Sequence, residues 1–522
     1  MRCHFLPVLV LLTACADNTV HVGGTPGSSD GGTIDADVLE TGVAETGGFD
    51  SAPPPATPIL LTGTIVTPDT VFDGQVLIVG ANIACAAAGT ACASDPAAMN
   101  AKVIDTGGII VPGMIDSHNH ILFDIFDNDD WLPAMVYQDH TQWTTEAKYT
   151  AMLDVKQCLD NDSQGKPTWC AATPYGTAAG NVKCEMDKWG ELKGLVAGTT
   201  SIVGLAGTTA QCFGSLTRSI DASQNGLGVD HIRTSALFPP SKATADSVCA
   251  SFSAGTTDAF LIHVGEGTNA KALGEFAKLG TASTTAGCLY APQTTITHGT
   301  AFTAAEFGMM ATSKMSLTWS PASNVALYGA TANIPAALDA GLTVALAPDW
   351  SMGGSQNLLD EMRFADAWDN AHFSDRLKPK DLVLMTTSNA AAVIGLGDRL
   401  GQIKKGYVAD LFVVSGNVAL PYDAILAATP KEVKLVMIGG QVLFGDAPLV
   451  NGAPIVPAGC ETIDVCGASK VACVATATHT DKLDQTFAQI KGALEQALLD
   501  SDQQTLADGY TFAPLSPLYK CP

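Results

Sequence analysis

At 522 residues the chain exceeds one ordinary core and suits a large barrel of about 250 to 300 residues with accessory pieces. Acidic residues outnumber basic ones by 52 to 27, a field that repels nucleic acid and anionic lipid headgroups, so a role on DNA or RNA is disfavoured. Past the N-terminus no uncharged apolar stretch approaches the roughly 20 residues needed to span a bilayer, and the mature chain reads as soluble.

In chain order, the first element is a leader. Arg2 precedes an apolar run from Phe5 to Leu12, and Leu12-Thr13-Ala14-Cys15 follows, small residues leading into a cysteine. This resembles a lipoprotein signal with its lipobox, which implies that residues 1–15 form the signal and that Cys15 is the acylated first residue of the mature protein. Eight apolar residues are few for the alternative, a buried N-terminal helix. Ala16 stands where the pattern for inner-membrane retention has Asp, so outer-membrane attachment of an exported protein is favoured. Residues 16–58, rich in Gly, Asp, Thr, Ser and Pro, hold too little apolar surface to offset ordering entropy and read as a flexible acidic tether. The membrane is then a partner through the lipid only.

Of 14 cysteines, Cys3 leaves with the signal and Cys15 carries lipid, so twelve remain, an even number for an oxidising compartment. Disulfides are expected, with Cys85–Cys92 as one local pair and two more among Cys460, Cys466, Cys473 and Cys521. A cysteine-ligated zinc site is disfavoured, because no pair has C-x-x-C spacing.

Residues 59–111 open with short strands, Ile59 to Val66 and Gln75 to Val79, between turn signals. Residues 396–450 hold a second β block, Ala409 to Val414, Val433 to Ile438 and Gln441 to Phe444. Two such blocks flanking a long α/β middle are expected to build one β-sandwich from both sides.

The middle, residues 112–395, is entered by an apolar run from Ile109 that ends in His118-Asn119-His120. Strand alternation puts both imidazoles on one side, where they can reach one ion. Three more apolar runs stop at ligand-type residues: Ala259 to His263 with Glu266 three residues on, Thr294 to His298, and Thr343 to Asp349. A single histidine at a strand end is usually packing; four such ends in a chain with ten histidines point to a site at the C-terminal face of a barrel. Strands are recognisable near Ile109, Thr200, Ile232, Phe260, Thr295, Ser316 and Thr343, one short of eight. Residues 124–195 are long for a barrel loop and are read as a lid. Its opening stretch carries Asp124, Asp127, Asp129 and Asp130, read as a solvated acidic loop, with attraction of cationic substrates as the sharper alternative. In residues 451–522, Leu483, Phe487, Ile490, Leu494 and Leu498 recur at helical spacing and predict a helix packed on the barrel and stapled through Cys521.

The ordered set from Pro112 to His120, His263 with Glu266, His298, Ser320 to Asn324, Asp349, and Leu400 to Leu411 resembles the amidohydrolase superfamily, in particular its mononuclear deaminase and chlorohydrolase branch. The resemblance runs from about Ile59 to Asp446. It implies an α/β fold, a distorted (β/α)8 TIM barrel with a small β-sandwich. It implies one divalent metal held by His118, His120, His263 and Asp349, most simply Zn²⁺, with Fe²⁺ or Mn²⁺ as alternatives, activating water. Asp349 would accept the water proton, Glu266 would deliver a proton to the substrate, and His298 would hydrogen-bond the attacked oxygen or the activated water. Ser323, Asn324, Trp319 and Trp350 are the expected substrate contacts. Trp319 replaces a histidine common in the deaminase branch, which weakens a purine or triazine reading. The expected activity is hydrolysis of a non-peptide carbon–nitrogen bond in a small molecule, by deamination or cyclic-amide opening. An esterase or lactonase on the same scaffold and a non-catalytic surface-binding lipoprotein are the alternatives.

Overall fold

The structure is a computed structural model that describes residues 57–521 apart from 164, 205–215, 222–226, 228–231, 236–237, 455–458 and 476–483. The leader, Cys15 and the tether lie outside the described residues. The described residues form seventeen strands: β1 (Ile59–Val66), β2 (Val71–Val79), β3 (Asn82–Ala88), β4 (Lys102–Pro112), β5 (Met114–Asp116), β6 (Thr199–Ile202), β7 (Arg218–Ser219), β8 (Ile232–Ser235), β9 (Ala259–Val264), β10 (Thr294–His298), β11 (Ser316–Trp319), β12 (Val344–Leu346), β13 (Leu411–Val414), β14 (Val433–Ile438), β15 (Gln441–Gly445), β16 (Cys460–Val465) and β17 (Ala468–Cys473).

Strands of both flanks join in one nine-stranded sheet, ordered β16-β17-β15-β14-β13-β4-β1-β2-β3. Among the described residues the ladders make a single continuous sheet. The C-terminal residues also contribute more than a helix, because β16 and β17 extend this sheet. The apolar run at Ile109 belongs here, not in the barrel: β4 pairs with β1 and β13, and the barrel begins only after Pro112-Gly113. Glycine is required at that kink, since a Cβ on Gly113 would lie 2.2 Å from the Thr200 hydroxyl.

Eight parallel strands follow in sheets of three (β5-β6-β7) and five (β12-β11-β10-β9-β8). A parallel bridge from Asn119 to Asp349 joins the two beyond the ends of β5 and β12. Among the described residues no ladder links β7 to β8, so closure into a full barrel is not seen. The strand that escaped sequence reading is β7, whose two residues are Arg and Ser: too short and too polar to show periodicity. Arg218 is there for a reason. Its guanidinium makes a buried two-point pair with Asp410 (2.7 and 3.1 Å), and Asp410 also accepts from the Gly439 amide (2.7 Å), tying the parallel strands to the nine-stranded sheet.

Between β5 and β6 the chain runs through helices Ala147–Leu159 and Lys183–Leu195. The predicted C-terminal helix forms as Phe487–Thr505, capped by a Thr486/Gln489 capping box. Its buried stripe of Ile490, Leu494 and Leu498 packs against those two helices, with Phe487 stacked 5.9 Å from Trp189. Five disulfides are formed among the described residues: Cys85–Cys92, Cys158–Cys170, Cys249–Cys288, Cys460–Cys473 and Cys466–Cys521. The local pair and the two C-terminal pairs follow the expectation.

Candidate metal centre and active site

Each predicted ligand stands at or just beyond the C-terminal end of a parallel strand, His118 and His120 after β5, His263 in β9 and Asp349 after β12, and the predicted hydrogen-bond donor His298 ends β10. The bridge noted above draws two of these ends together, with His120 N donating to Asp349 O (2.7 Å) and Asp349 N to His118 O (3.2 Å). His298 and Asp349 both have left-handed backbone conformations, with φ of 75° and 72°. Such a conformation costs a non-glycine residue about 1 to 3 kcal/mol and is held only where surrounding structure dictates it. Here it turns both side chains inward.

The result is a compact, buried donor set. One ligand atom from each of His118, His263, His298 and Asp349 lies within 4.8 Å of all the others. His118 Nε2 and His120 Nε2 converge on Asp349 Oδ1 at 2.9 and 3.4 Å. Burial keeps all four imidazoles neutral, pushing His118 and His263 down to about 3 and His120 and His298 well below the usual histidine range. Burial also raises the carboxyls, Asp349 to about 6 and Glu266 to about 7. Glu266 Oε2 lies 3.9 Å from His298 Nε2, and its Oε1 accepts a 2.6 Å bond from the Tyr328 hydroxyl.

Hydrogen bonds separate the imidazoles by role. Trp319 Nε1 donates to Thr331 Oγ1 (2.7 Å), Thr331 Oγ1 donates to Asn324 Oδ1 (3.2 Å), and Asn324 Nδ2 therefore donates to His298 Nδ1 (3.0 Å). With Nδ1 accepting, the proton of neutral His298 sits on Nε2 and faces the cluster as a donor. His263 is the opposite case: its Nδ1 donates to the Ser235 carbonyl (3.2 Å), leaving Nε2 with its lone pair free. His120 Nδ1 is buried with no hydrogen-bond partner. Neutral imidazoles converging on one carboxylate oxygen, beside an orphaned ring nitrogen, fit a divalent cation. The fourth member of the tightest cluster is His298, whose protonated Nε2 is a donor, while His120 Nε2 stands 3.4 Å from Asp349 Oδ1.

Ser323 and Asn324, expected to contact substrate, instead support the inner groups. Ser323 Oγ donates to Asp349 Oδ2 at 2.5 Å, and Asn324 orients His298. Trp319 does not wall the site. Thr318, its neighbour, points inward to Ser117 Oγ (3.2 Å), so alternation sends Trp319 outward towards Phe373, and it acts through the chain to His298. Trp350 does stand beside the centre, its ring 5.6 Å from that of His120. The acidic stretch is solvated only in part: Asp129 is exposed, whereas Asp124 and Asp127 are buried, Asp124 accepting from the Ser351 amide (2.9 Å) and Asp127 pairing with Lys520 (3.2 Å). Tyr328 escaped sequence reading; its one signal was its place a helical turn after Asn324. Trp143, which donates to the Tyr328 hydroxyl (2.8 Å), and the buried pair of His140 with Glu275 (2.8 Å) had no sequence signal at all.

Residues 256–443 match the amidohydrolase family, a span that includes His263, Glu266, His298 and Asp349 and starts after His118 and His120. Among solved structures, the chain is similar to a zinc-bound adenosine deaminase from Xanthomonas campestris (TM-score 0.53, 16 % identity, 75 % of this chain and 93 % of that one). It is similar also to the zinc complex of an atrazine chlorohydrolase from Arthrobacter aurescens (TM-score 0.54, 16 %, 74 % and 95 %). These likenesses show the fold. In sequence it resembles 5-methylthioadenosine/S-adenosylhomocysteine deaminases, that of Pyrococcus furiosus with 32 % identity over 164 residues, 30 % of this chain and 37 % of the relative. The match to the Syntrophobacter fumaroxidans deaminase is longer and weaker, 23 % over 429 residues, 75 % of this chain and 94 % of the relative. Several of these alignments span only about a third of the relatives' length, as with the 35 % of the Syntrophomonas wolfei enzyme. Fold, donor set and matches make this chain similar to hydrolases of amidohydrolase type.

Proposed function

We propose that the protein hydrolyses a non-peptide carbon–nitrogen bond in a small molecule, by deamination or cyclic-amide opening, with one divalent metal held by His118, His120, His263 and Asp349. The observation that carries this reading is the division of labour at one buried point: lone pairs on one side, and on the other a protonated His298 Nε2 beside Glu266, whose carboxyl is poised near neutrality. A cation such as Zn²⁺ bound there would supply Lewis acidity to activate water and polarise the substrate. Asp349, its Oδ2 held by the Ser323 hydroxyl, would take up the proton released from water. Glu266 carries a proton to the substrate nitrogen, held in place by Tyr328. His298 Nε2–H donates to the oxygen that gains charge as the bond is attacked. The names of the sequence relatives favour deamination of a nucleoside-like substrate.

The reading extends to location. The Cys15 lipobox, the acidic tether and the disulfides fit an exported protein anchored by lipid, with the outer membrane favoured.

The test is metal analysis of the purified mature protein, followed by assays of ammonia release from 5-methylthioadenosine, S-adenosylhomocysteine and guanine and of ring opening of dihydrouracil. About one metal per chain, and turnover that a chelator abolishes, is expected. Hydrolysis of lactones alone would replace the carbon–nitrogen assignment, and a metal-free chain without turnover would leave a binding protein.

A further inference from the structure

The helix Ala147–Leu159 belongs to the long segment between β5 and β6 and carries a tyrosine that the chemistry above does not use. Tyr149 is fully buried. Its ring lies 5.1 Å from Trp131, 5.0 Å edge-on from Trp143 and 6.4 Å from Trp350, and Trp350 in turn lies against His120. The aromatic box therefore begins at the donor cluster and ends at Tyr149.

Its hydroxyl has no hydrogen-bond partner. The other fully buried phenol of this region, Tyr328, donates to Glu266 and accepts from Trp143, and the buried Tyr175 and half-buried Tyr290 also find acceptors, at 2.7 and 2.6 Å. An unpaired buried hydroxyl disfavours the folded state, and phenylalanine would make every ring contact without that penalty. Burial, together with the nearby charges of Glu266 and Asp349, raises the phenol's pKa well above its usual value, so the group is a neutral donor beside the site's two working carboxyls. Neither of those carboxyls accepts its proton.

We infer that Tyr149 is a substrate-binding residue supplied by the segment between β5 and β6, its O–H donating to an oxygen or nitrogen acceptor on a small molecule bound at the His118, His263 and Asp349 centre. This inference rests on the proposed function, since it needs a ligand at that centre. It makes the segment part of the substrate site as well as its cover.

The experiment compares wild type, Tyr149→Phe and His263→Ala, each full length and offered zinc, using acetohydroxamate as the probe. Binding is read by the fluorescence of the surrounding tryptophans and by calorimetry, alongside zinc content and melting temperature without probe. Tyr149→Phe is expected to hold as much zinc as wild type, to melt at the same or a higher temperature, and to bind the probe about five- to tenfold more weakly, the loss of one hydrogen bond. Equal affinity in wild type and Tyr149→Phe overturns the inference and leaves the metal centre standing. A lower melting temperature for Tyr149→Phe also overturns it, because the hydroxyl would then serve the fold. Failure of zinc-loaded wild type to bind the probe, or full binding by His263→Ala, removes the centre itself and the inference with it.

Discussion

At the scale of single residues the proposed function separates holding a metal from moving a proton. His263 has its Nε2 freed by the bond from Nδ1 to Ser235, whereas Glu266 touches Tyr328 and approaches His298 without entering the donor set. His263→Ala should therefore purify metal-poor and inactive. Glu266→Gln should keep near-stoichiometric metal while turnover falls by about 10² to 10⁴. Metal analysis and single-substrate kinetics on the two variants check this, and a fully active Glu266→Gln would move the proton role to His298. A second residue-scale outcome concerns His140. Burial alone would lower its pKa, but the hydrogen bond to Glu275 and the charges of Glu266, Glu275 and Asp139 outweigh burial and hold it above its ordinary 6.5. A histidine raised on folding stabilises fully below its unfolded pKa, and that contribution is lost as pH rises through the folded value. The melting-temperature difference between wild type and Glu275→Gln should thus be largest below pH 6.5 and shrink in more alkaline buffer. A difference that grows with pH would contradict the pairing.

At the scale of elements, the C-terminal stretch that follows helix Phe487–Thr505 straps the segment leaving β5. Ser516 is its centre: its amide donates to Ile125 O (3.2 Å), its carbonyl accepts from Trp189 Nε1 (3.0 Å) and its hydroxyl from Lys193 Nζ (2.6 Å). Lys193 also reaches Ser351 Oγ (3.2 Å), two residues beyond Asp349, so the strap touches both halves of the donor set's supporting backbone. Lys520 pairs with Asp127 and Asp129, and the next residue is fastened by Cys466–Cys521, a link across 55 residues. Closing a loop of that size typically stabilises by about 2 to 4 kcal/mol. Cys521→Ser should lower the urea midpoint correspondingly under non-reducing conditions, and an unchanged midpoint would show that the strap is held by packing alone.

At the scale of the whole molecule, two expectations concern the chain's surroundings. If Cys15 carries lipid, Cys15→Ala should move the protein from the membrane fraction to the soluble one; unchanged detergent partitioning would remove the anchor from this account. No helix among the described residues is long and apolar enough to cross a membrane, so any such partitioning would have to arise elsewhere. The nine-stranded sheet, the parallel strands and the strap also share cross-links of different kinds, namely Arg218 with Asp410, Lys193 with Ser516, and the disulfides. The ligand ends are consequently braced from outside on three sides.

Much of this was legible in order along the chain. Apolar runs that stop at His118, His263, His298 and Asp349 announce themselves because strand periodicity is local, and the tail helix is visible because its stripe repeats every turn. Cysteine parity predicts disulfides for the same reason, being a property of composition. What only the tertiary structure decided is whatever depends on residues far apart in sequence. The two-residue strand at Arg218 exists because Asp410 waits for it. That Ser323 bonds Asp349 and Asn324 bonds His298 depends on partners that the chain brings in from other segments. The acidic stretch after His120 reads as solvated because isolated carboxylates prefer water; Asp129 is exposed as expected, but Asp124 and Asp127 are buried because Lys193 and Lys520, brought in by distant segments, compensate their charge. Local periodicity specifies the elements; pairing between distant polar groups, which no single stretch encodes, specifies the site.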